Sequence, residues 1–293
     1  MLGFRSDGKL VKPEDPMFSV IPLIMTRRSD AQVFHKITIN TDAIDNYIRE
    51  KRENGLRYTY MDVVIASLVR IFALRPDLNR FIAGGRLYQR KGIFISFAVK
   101  KAMSDDAPET TVKIGFTGNE TMEEISRKIQ DEITFNKQAE GQNDTDLLVK
   151  VFQFVPHIAL RAFVGFAKWM DRMGVLPKSL IKLSPFHTTA FFSNLGSINL
   201  DYIYHHIYDF GTTSVFITLG KRVRIPEAVD GEVAVKKCTN IGVVVDERIC
   251  DGYYLSKTLK LLDRLFNHPN MLDVPLYESD GMVSEMEENK ATI

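Results

Sequence analysis

The sequence predicts an α+β sandwich of sheet and helices, and three observations lead there. First, β-branched and aromatic runs bounded by turn residues mix with amphipathic stretches from end to end, without strict strand–helix alternation. Second, no Pro/Gly/Ser-rich linker divides the 293 residues and no repeat is visible. Third, the composition is 45% hydrophobic, 26% charged and 10% aromatic, which is globular and sufficient for a sizeable core.

The elements follow in order. Lys36–Asn40 (KITIN) alternates as a strand does. Thr41 is placed to N-cap a polar amphipathic helix over 42–54, which Gly55 stops. Tyr60–Leu74 is apolar nearly all round and reads as a buried helix ending before Pro76. Strands are expected over 92–99 and 111–117, then an amphipathic helix over 121–136 with a capping box from Thr121 to Glu124. Residues 143–184 are helical in character and carry Phe152, Phe154, Phe163, Phe166 and Trp169. This stretch is a helical pair packed on the sheet, or a lid or docking surface for an apolar partner or membrane face. Further strands are expected over 187–193, 213–220 and 241–246. A helix over 253–266, with Tyr254, Leu255, Leu259, Leu262 and Leu265 on one stripe, closes the fold.

Charge and cysteine content exclude whole classes of function. Thirty-eight Lys+Arg against 37 Asp+Glu leave a net charge of +1, so nothing global favours nucleic acid. The two cysteines, Cys238 and Cys250, have no metal-ligand spacing to each other or to a histidine, and so few thiols suggest a reducing compartment. The N-terminus has charges where a signal peptide needs an apolar run, and no segment is long and apolar enough to span a bilayer. A cytoplasmic location is expected. Residues 1–19 form an N-terminal extension, 20–275 one domain, and 276–293 an acidic, disordered tail.

The most informative window is Asp246-Glu247-Arg248-Ile249-Cys250-Asp251-Gly252, a strand ending in charges before an Asp-Gly turn and a helix. It resembles the signature of the chloramphenicol acetyltransferase and 2-oxoacid dehydrogenase acyltransferase superfamily, roughly Asp/His-His-x-x-x-Asp-Gly. Ser193-Asn194-Leu195-Gly196, the strand Ser214–Gly220, and the region 37–81 with Pro76-Asp77-Leu78-Asn79 are similar in the same order. The resemblance runs from about residue 20 to about 270 and implies a two-layer sandwich of mixed β-sheet and helices. It also implies a coenzyme-A-dependent acyltransferase, a homotrimer, and an active site in a channel between subunits. Carried over by position, Ser193 is the oxyanion donor and Asp251 a structural carboxylate, with Arg28 or Arg27 as its partner.

The sequence departs from that pattern where the catalytic histidine belongs, because Glu247 occupies the slot. An ordinary carboxylate, pKa about 4.3, is a weaker base than an imidazole at about 6.5 by about 3 kcal/mol. An ionised carboxylate is also acceptor-only and repels a nearby oxyanion. Three readings stay open: Glu247 is a base for modified chemistry, another group supplies the base, or the site serves binding alone. His205 and His206 are the substitute base, with a His206–Glu247 pair accounting for both oddities. The plainer reading makes them a packed aromatic edge among Tyr202, Tyr204 and Tyr208, or a solvent-facing loop. Lys221 and Arg222 are a solvated turn or the contacts for coenzyme A phosphates, and Ser193 itself ends a strand or serves the oxyanion. No lipoyl-bearing hairpin precedes the domain, so the acyl donor is free acyl-coenzyme A, or a lipoyl or carrier domain supplied in trans. The alternative to an enzyme is a catalytically inactive scaffold or regulatory binding protein on the same fold. No metal is expected.

Overall fold

Alternating side chains build the main layer of the fold. The computed structural model describes residues 4–100, 109–138, 155–229 and 231–277. Strands β2 (Gln32–Asn40), β5 (Ile93–Lys100), β6 (Glu109–Phe116), β7 (Ala190–Asn194), β8 (Val215–Val229) and β9 (Glu232–Asp246) form one six-stranded sheet in the order β2-β9-β8-β7-β5-β6. The pairs β5–β7 and β7–β8 are parallel and the others antiparallel, so the sheet is mixed. A second sheet of three strands, in the order β1-β4-β3, joins β1 (Gly8–Leu10), β3 (Arg80–Ala83) and β4 (Arg86–Arg90).

One face of the large sheet carries Ile39, Ile95, Phe97, Phe192, Ile217, Val243 and Val245, and four helices cover it. They are α2 (Asp42–Glu53), α3 (Tyr60–Leu74), α4 (Met122–Gln138) and α7 (Gly252–Asn267). Every residue from Asp62 to Phe72 of α3 is buried, as its all-round apolar character predicts. Its N-terminus is held by a capping box in which Thr59 accepts from the Asp62 amide and Asp62 accepts from the Thr59 amide. The capping box expected at Thr121 and Glu124 is present too. Thr41 stands at the start of α2, but its hydroxyl donates to Asp45 and makes no cap bond. The strand expected over 187–193 begins only at Ala190, because the Thr188 and Thr189 hydroxyls are engaged with Phe94 and Asn79.

Of the apolar stretch 143–184, residues 143–154 lie outside the described residues. The rest forms α5 (His157–Met173) and α6 (Lys178–Leu183). In α5 only Asp171 is buried, while Ile158, Phe163, Phe166 and Trp169 are exposed. This helix is not packed into the sheet as one half of a buried pair. Helix α1 (Met17–Ile24) is similarly open, with Leu23 65% and Ile24 71% exposed. The sequence expectations for the tail beyond residue 277 lie outside the described residues.

The second feature of the fold is a set of buried charges where the two sheets meet. Arg248 is 2% exposed and binds Asp246, itself 0% exposed, through Nε at 2.7 Å and Nη2 at 2.6 Å. Arg28 Nε lies 3.8 Å from the same carboxylate. Nearby, Arg5 binds Asp171 at 2.7 Å and Asp7 at 2.9 Å, and the His187 ring approaches Asp171 at 3.3 Å. Burial alone would raise the Asp171 carboxyl. His187 and Arg5 outweigh that and hold it at about 2.

Two predictions follow from these charges. Asp246→Ala leaves two buried guanidinium groups without their counter-ion and should cost about 3–5 kcal/mol, read as a lowered midpoint in urea. Asp171 has a folded value below the 3.8 of the free carboxyl. Its contribution is therefore complete above about pH 4 and lost as the pH falls toward about 2. Asp171→Asn should flatten the stability–pH curve over that acid limb, and an unchanged slope would contradict the assignment.

Candidate functional site

The chemistry predicted for residues 246–252 depends on where the chain goes after β9. Asp246 ends the strand with its side chain buried against Arg248, and the Glu247 amide donates to Ala31 O at 2.9 Å. The Glu247 side chain is therefore turned out and exposed. Ile249 and Cys250 return to the interior, and burial pushes the Cys250 thiol up to about 12, which removes it as a nucleophile. Asp251 is exposed and N-caps α7, accepting from the Tyr254 amide at 2.7 Å.

The arginine expected to hold Asp251 does something else. Arg28 is buried, pairs with Asp246, and donates through Nη1 and Nη2 to the carbonyls of Asp209 at 3.2 Å and Ile82 at 2.8 Å. Within one chain the expected Arg28–Asp251 pairing is thus replaced by Arg28–Asp246, because the carboxylate nearest the buried guanidinium is the one that ends the strand. Arg27 is exposed.

Ser193 lies on the other face of the sheet from the helices. Phe191 stacks on Phe216 at 5.1 Å in a small cluster with Ile207 and Val244. Two residues along, Ser193 shares that face by strand periodicity. Its hydroxyl is half-buried and has no hydrogen-bond partner among the described residues. Residues 201–209 cross this face. They lie flush because Gly220 and Gly242 are there, since a Cβ at either would strike the crossing backbone. The crossing brings His205 over Phe216, with ring centroids 4.1 Å apart and planes 9° apart. His205 Nδ1 lies 2.9 Å from His206 O, and His206 packs edge-on to Tyr208 at 5.0 Å. Burial lowers the pKa of His205. His205 is half-buried in this row of rings, and His206 is exposed beside it.

The structure brings Ser193 and His205 to one face but keeps Glu247 and Asp251 apart from them. Ser193 pairs with Thr218, and Thr218 with Gly242, so Asp246 stands two strands across and four residues along. At ~4.8 Å per strand and ~3.3 Å per residue, the backbones of Ser193 and Asp246 are roughly 16 Å apart. No side chains of this length close that gap. Among the described residues no ion pair joins His206 or His205 to Glu247, so the pairing expected from sequence is absent within one chain. Of the two basic residues at 221–222, Arg222 is spent on Asp45 at 3.3 Å and on the Tyr60 ring at 4.1 Å.

A groove that the sequence did not reveal lies between β2 and α7. It encloses about 1060 Å³ and is lined by Lys36, Gly252, Ser256, Lys260 and Arg264 among others. Arg264 Nη1 is buried without a hydrogen-bond partner. A helix running back over the edge strand β2 could have suggested it, but Lys260 and Arg264 read simply as the polar side of an amphipathic helix.

No family model matches the chain, and none of the curated proteins is similar enough to match. Solved structures do match. A probable dihydrolipoamide acetyltransferase from Listeria monocytogenes 4b F2365 is similar with a TM-score of 0.56 at 17% identity, covering 88% of this chain and 95% of that one. A dihydrolipoamide acetyltransferase from Azotobacter vinelandii, described for the roles of a serine, a histidine and an asparagine in its catalytic mechanism, is similar with a TM-score of 0.56 at 13% identity over 88% and 92%. A chloramphenicol acetyltransferase is similar with a TM-score of 0.53 at 10% identity over 88% and 99%. The chain therefore has the chloramphenicol-acetyltransferase-like fold of these acyltransferases. Among the described residues, no helix is long and apolar enough to cross a membrane.

Because Glu247 is exposed and its side chain makes no hydrogen bond or ion pair among the described residues, Glu247→Gln should leave thermal stability within about 0.5 kcal/mol of the parent chain. A larger loss would mean that the carboxylate is part of the fold.

Proposed function

We propose that this protein transfers an acyl group from coenzyme A to a small acceptor, at a site completed by two copies of the chain in a homotrimer. The observation that carries the reading is the unpartnered, half-buried Ser193 hydroxyl on the sheet face opposite the helices, in a chain with this fold. The acceptor attacks the thioester carbonyl, and the resulting oxyanion accepts a hydrogen bond from Ser193 Oγ. The acceptor's proton passes to a base, and the thiolate of coenzyme A leaves and is protonated. Glu247 of the neighbouring copy is one base within this scheme, and His205, on the face of Ser193, is the other, with His206 beside it.

The groove between β2 and α7 supports the donor side. It holds Lys260 and Arg264 beside Asp263, cations suited to the phosphates of coenzyme A, and starts at Gly252, just past the Glu247 loop. Lys221 is adjacent to the engaged Arg222, and the groove is the better supported of the two places. A lipoyl or carrier domain in trans is the other donor consistent with this chemistry.

A second reading has its own observation in its favour. Glu247 is exposed and has no histidine partner among the described residues, in the slot where the family resemblance places an imidazole. On that reading the chain is a non-catalytic scaffold or regulatory binding protein.

Kinetics with acyl-coenzyme A and a panel of amine, alcohol and thiol acceptors separate the two. Ser193→Ala should lower kcat by about 10²–10³ with an unchanged melting temperature. Ser193→Ala and Glu247→Gln chains, each nearly inactive alone, should recover about a quarter of the parent activity when co-refolded in equal amounts, because about a quarter of all the interfaces formed contain both intact residues. Absence of coenzyme A binding in calorimetry, together with no turnover, supports the scaffold.

A further inference from the structure

A cavity of about 610 Å³ opens between α1, α5 and the β3–β4 turn. Its lining includes Arg27, Arg28, Lys168, Arg172 and Arg248. Two carboxylates, Asp171 and Asp209, also line it, and both are already engaged. Asp171 holds Arg5 and His187, and Asp209 Oδ1 accepts from the Arg28 amide at 2.8 Å. On the floor, Arg248 is held by Asp246 and donates to Met25 O at 2.7 Å. Arg28, 5% exposed, has its Nε 3.8 Å from Asp246, beyond hydrogen-bond distance. At the rim, Arg27, Lys168 and Arg172 are exposed and have no ion-pair partner among the described residues.

Three uncompensated cations over two buried guanidinium groups, in a chain of net charge +1, is a local concentration of positive charge that the fold itself does not need. A ligand carrying two negative charges and several acceptor oxygens satisfies it, and guanidinium groups bind such an oxyanion in a planar, bidentate way. We propose that this cavity binds a phosphomonoester anion. The inference does not rest on acyl transfer. The anion is carried by a soluble metabolite or by a lipid headgroup. The second source has a basis in the exposed Leu23 at the cavity and in Phe166 and Trp169 on the helix that bears Lys168 and Arg172.

The test is binding by the full chain, without any activity assay. Calorimetry uses inorganic phosphate and glycerol 3-phosphate. Flotation uses phosphatidylcholine vesicles containing either phosphatidic acid or the same molar fraction of phosphatidylglycerol. The variant Lys168→Ala/Arg172→Ala removes two exposed side chains, and an unchanged melting curve confirms that it folds. Lys182→Ala, an exposed lysine on α6 outside the cavity, is the control. The expected result is saturable phosphate binding, or flotation that prefers phosphatidic acid, weakened roughly tenfold or more in the double variant and unaltered in the control. Binding in calorimetry identifies a soluble ligand, and flotation alone identifies a headgroup. No binding in either assay, equal flotation with both anionic lipids, or binding that survives the double variant overturns the proposal.

Discussion

The carboxylate of Asp246 is the constraint on which the rest of the arrangement depends. It is fully buried at the end of β9, and it holds Arg248 by two hydrogen bonds and Arg28 by charge. Those two guanidinium groups then donate to carbonyls of Met25, Ile82, Tyr208 and Asp209. One buried anion thereby ties the N-terminal segment, the small sheet and the crossing segment to the end of the large sheet. Burying ions is expensive, and the cost is offset only because nearly every donor finds an acceptor. The same demand sets the course of the next five residues. With Asp246 and Arg248 committed inward, Glu247 between them has to point out, and Asp251 is delivered to the start of α7.

That geometry has a consequence for chemistry. The loop carrying Glu247 sits at one end of the sheet, while Ser193 sits near its middle on the face opposite the helices. A strand pair is stiff and its register admits no slip that would bring them together, since a one-residue slip would turn every side chain over. Chemistry that needs both residues requires a second copy. Chemistry within one chain has only Ser193 and the His205 edge to draw on, and His205 is stacked on Phe216 with its Nδ1 committed to a backbone carbonyl.

Much of the fold was legible in sequence because local signals and tertiary demand agree. The all-apolar Tyr60–Leu74 is a buried helix, and the β-branched runs are the inner strands. Other elements were missed for identifiable reasons. The outer half of the β8–β9 hairpin alternates exposed charges with small apolar residues and has no buried face, although the Asp-Gly pair at 230–231 in the sequence was a readable hairpin signal and Gly231 has φ +85°. The β3–β4 hairpin turns on Gly84-Gly85, both at positive φ, another such signal. The site was legible only in part. Sequence order could nominate Ser193 and Glu247, but it could not show that Arg28 takes Asp246 instead of Asp251, because those two carboxylates are five residues apart and only burial distinguishes them. Nor does helical periodicity reveal that Lys168 and Arg172 meet Arg27 across 140 residues of chain.

The loop from Asp246 to Gly252 runs between two cavities. Arg248 lines the one beneath α1 and α5, and Gly252 lines the groove beside β2. Seven residues, from Asp246 to Gly252, therefore connect the two, anchored inward at Asp246, Arg248, Ile249 and Cys250 and exposed at Glu247, Asp251 and Gly252. A carboxylate at Glu247 gives that segment a negative charge facing solvent, between a cationic cavity and a groove with lysine and arginine on its wall. Two anionic ligands approaching from either side would each be drawn by their own cations and repelled by this one anion. An imidazole in the same place would lack that repulsion when neutral. The Glu247 carboxylate thus sets the charge between the two openings.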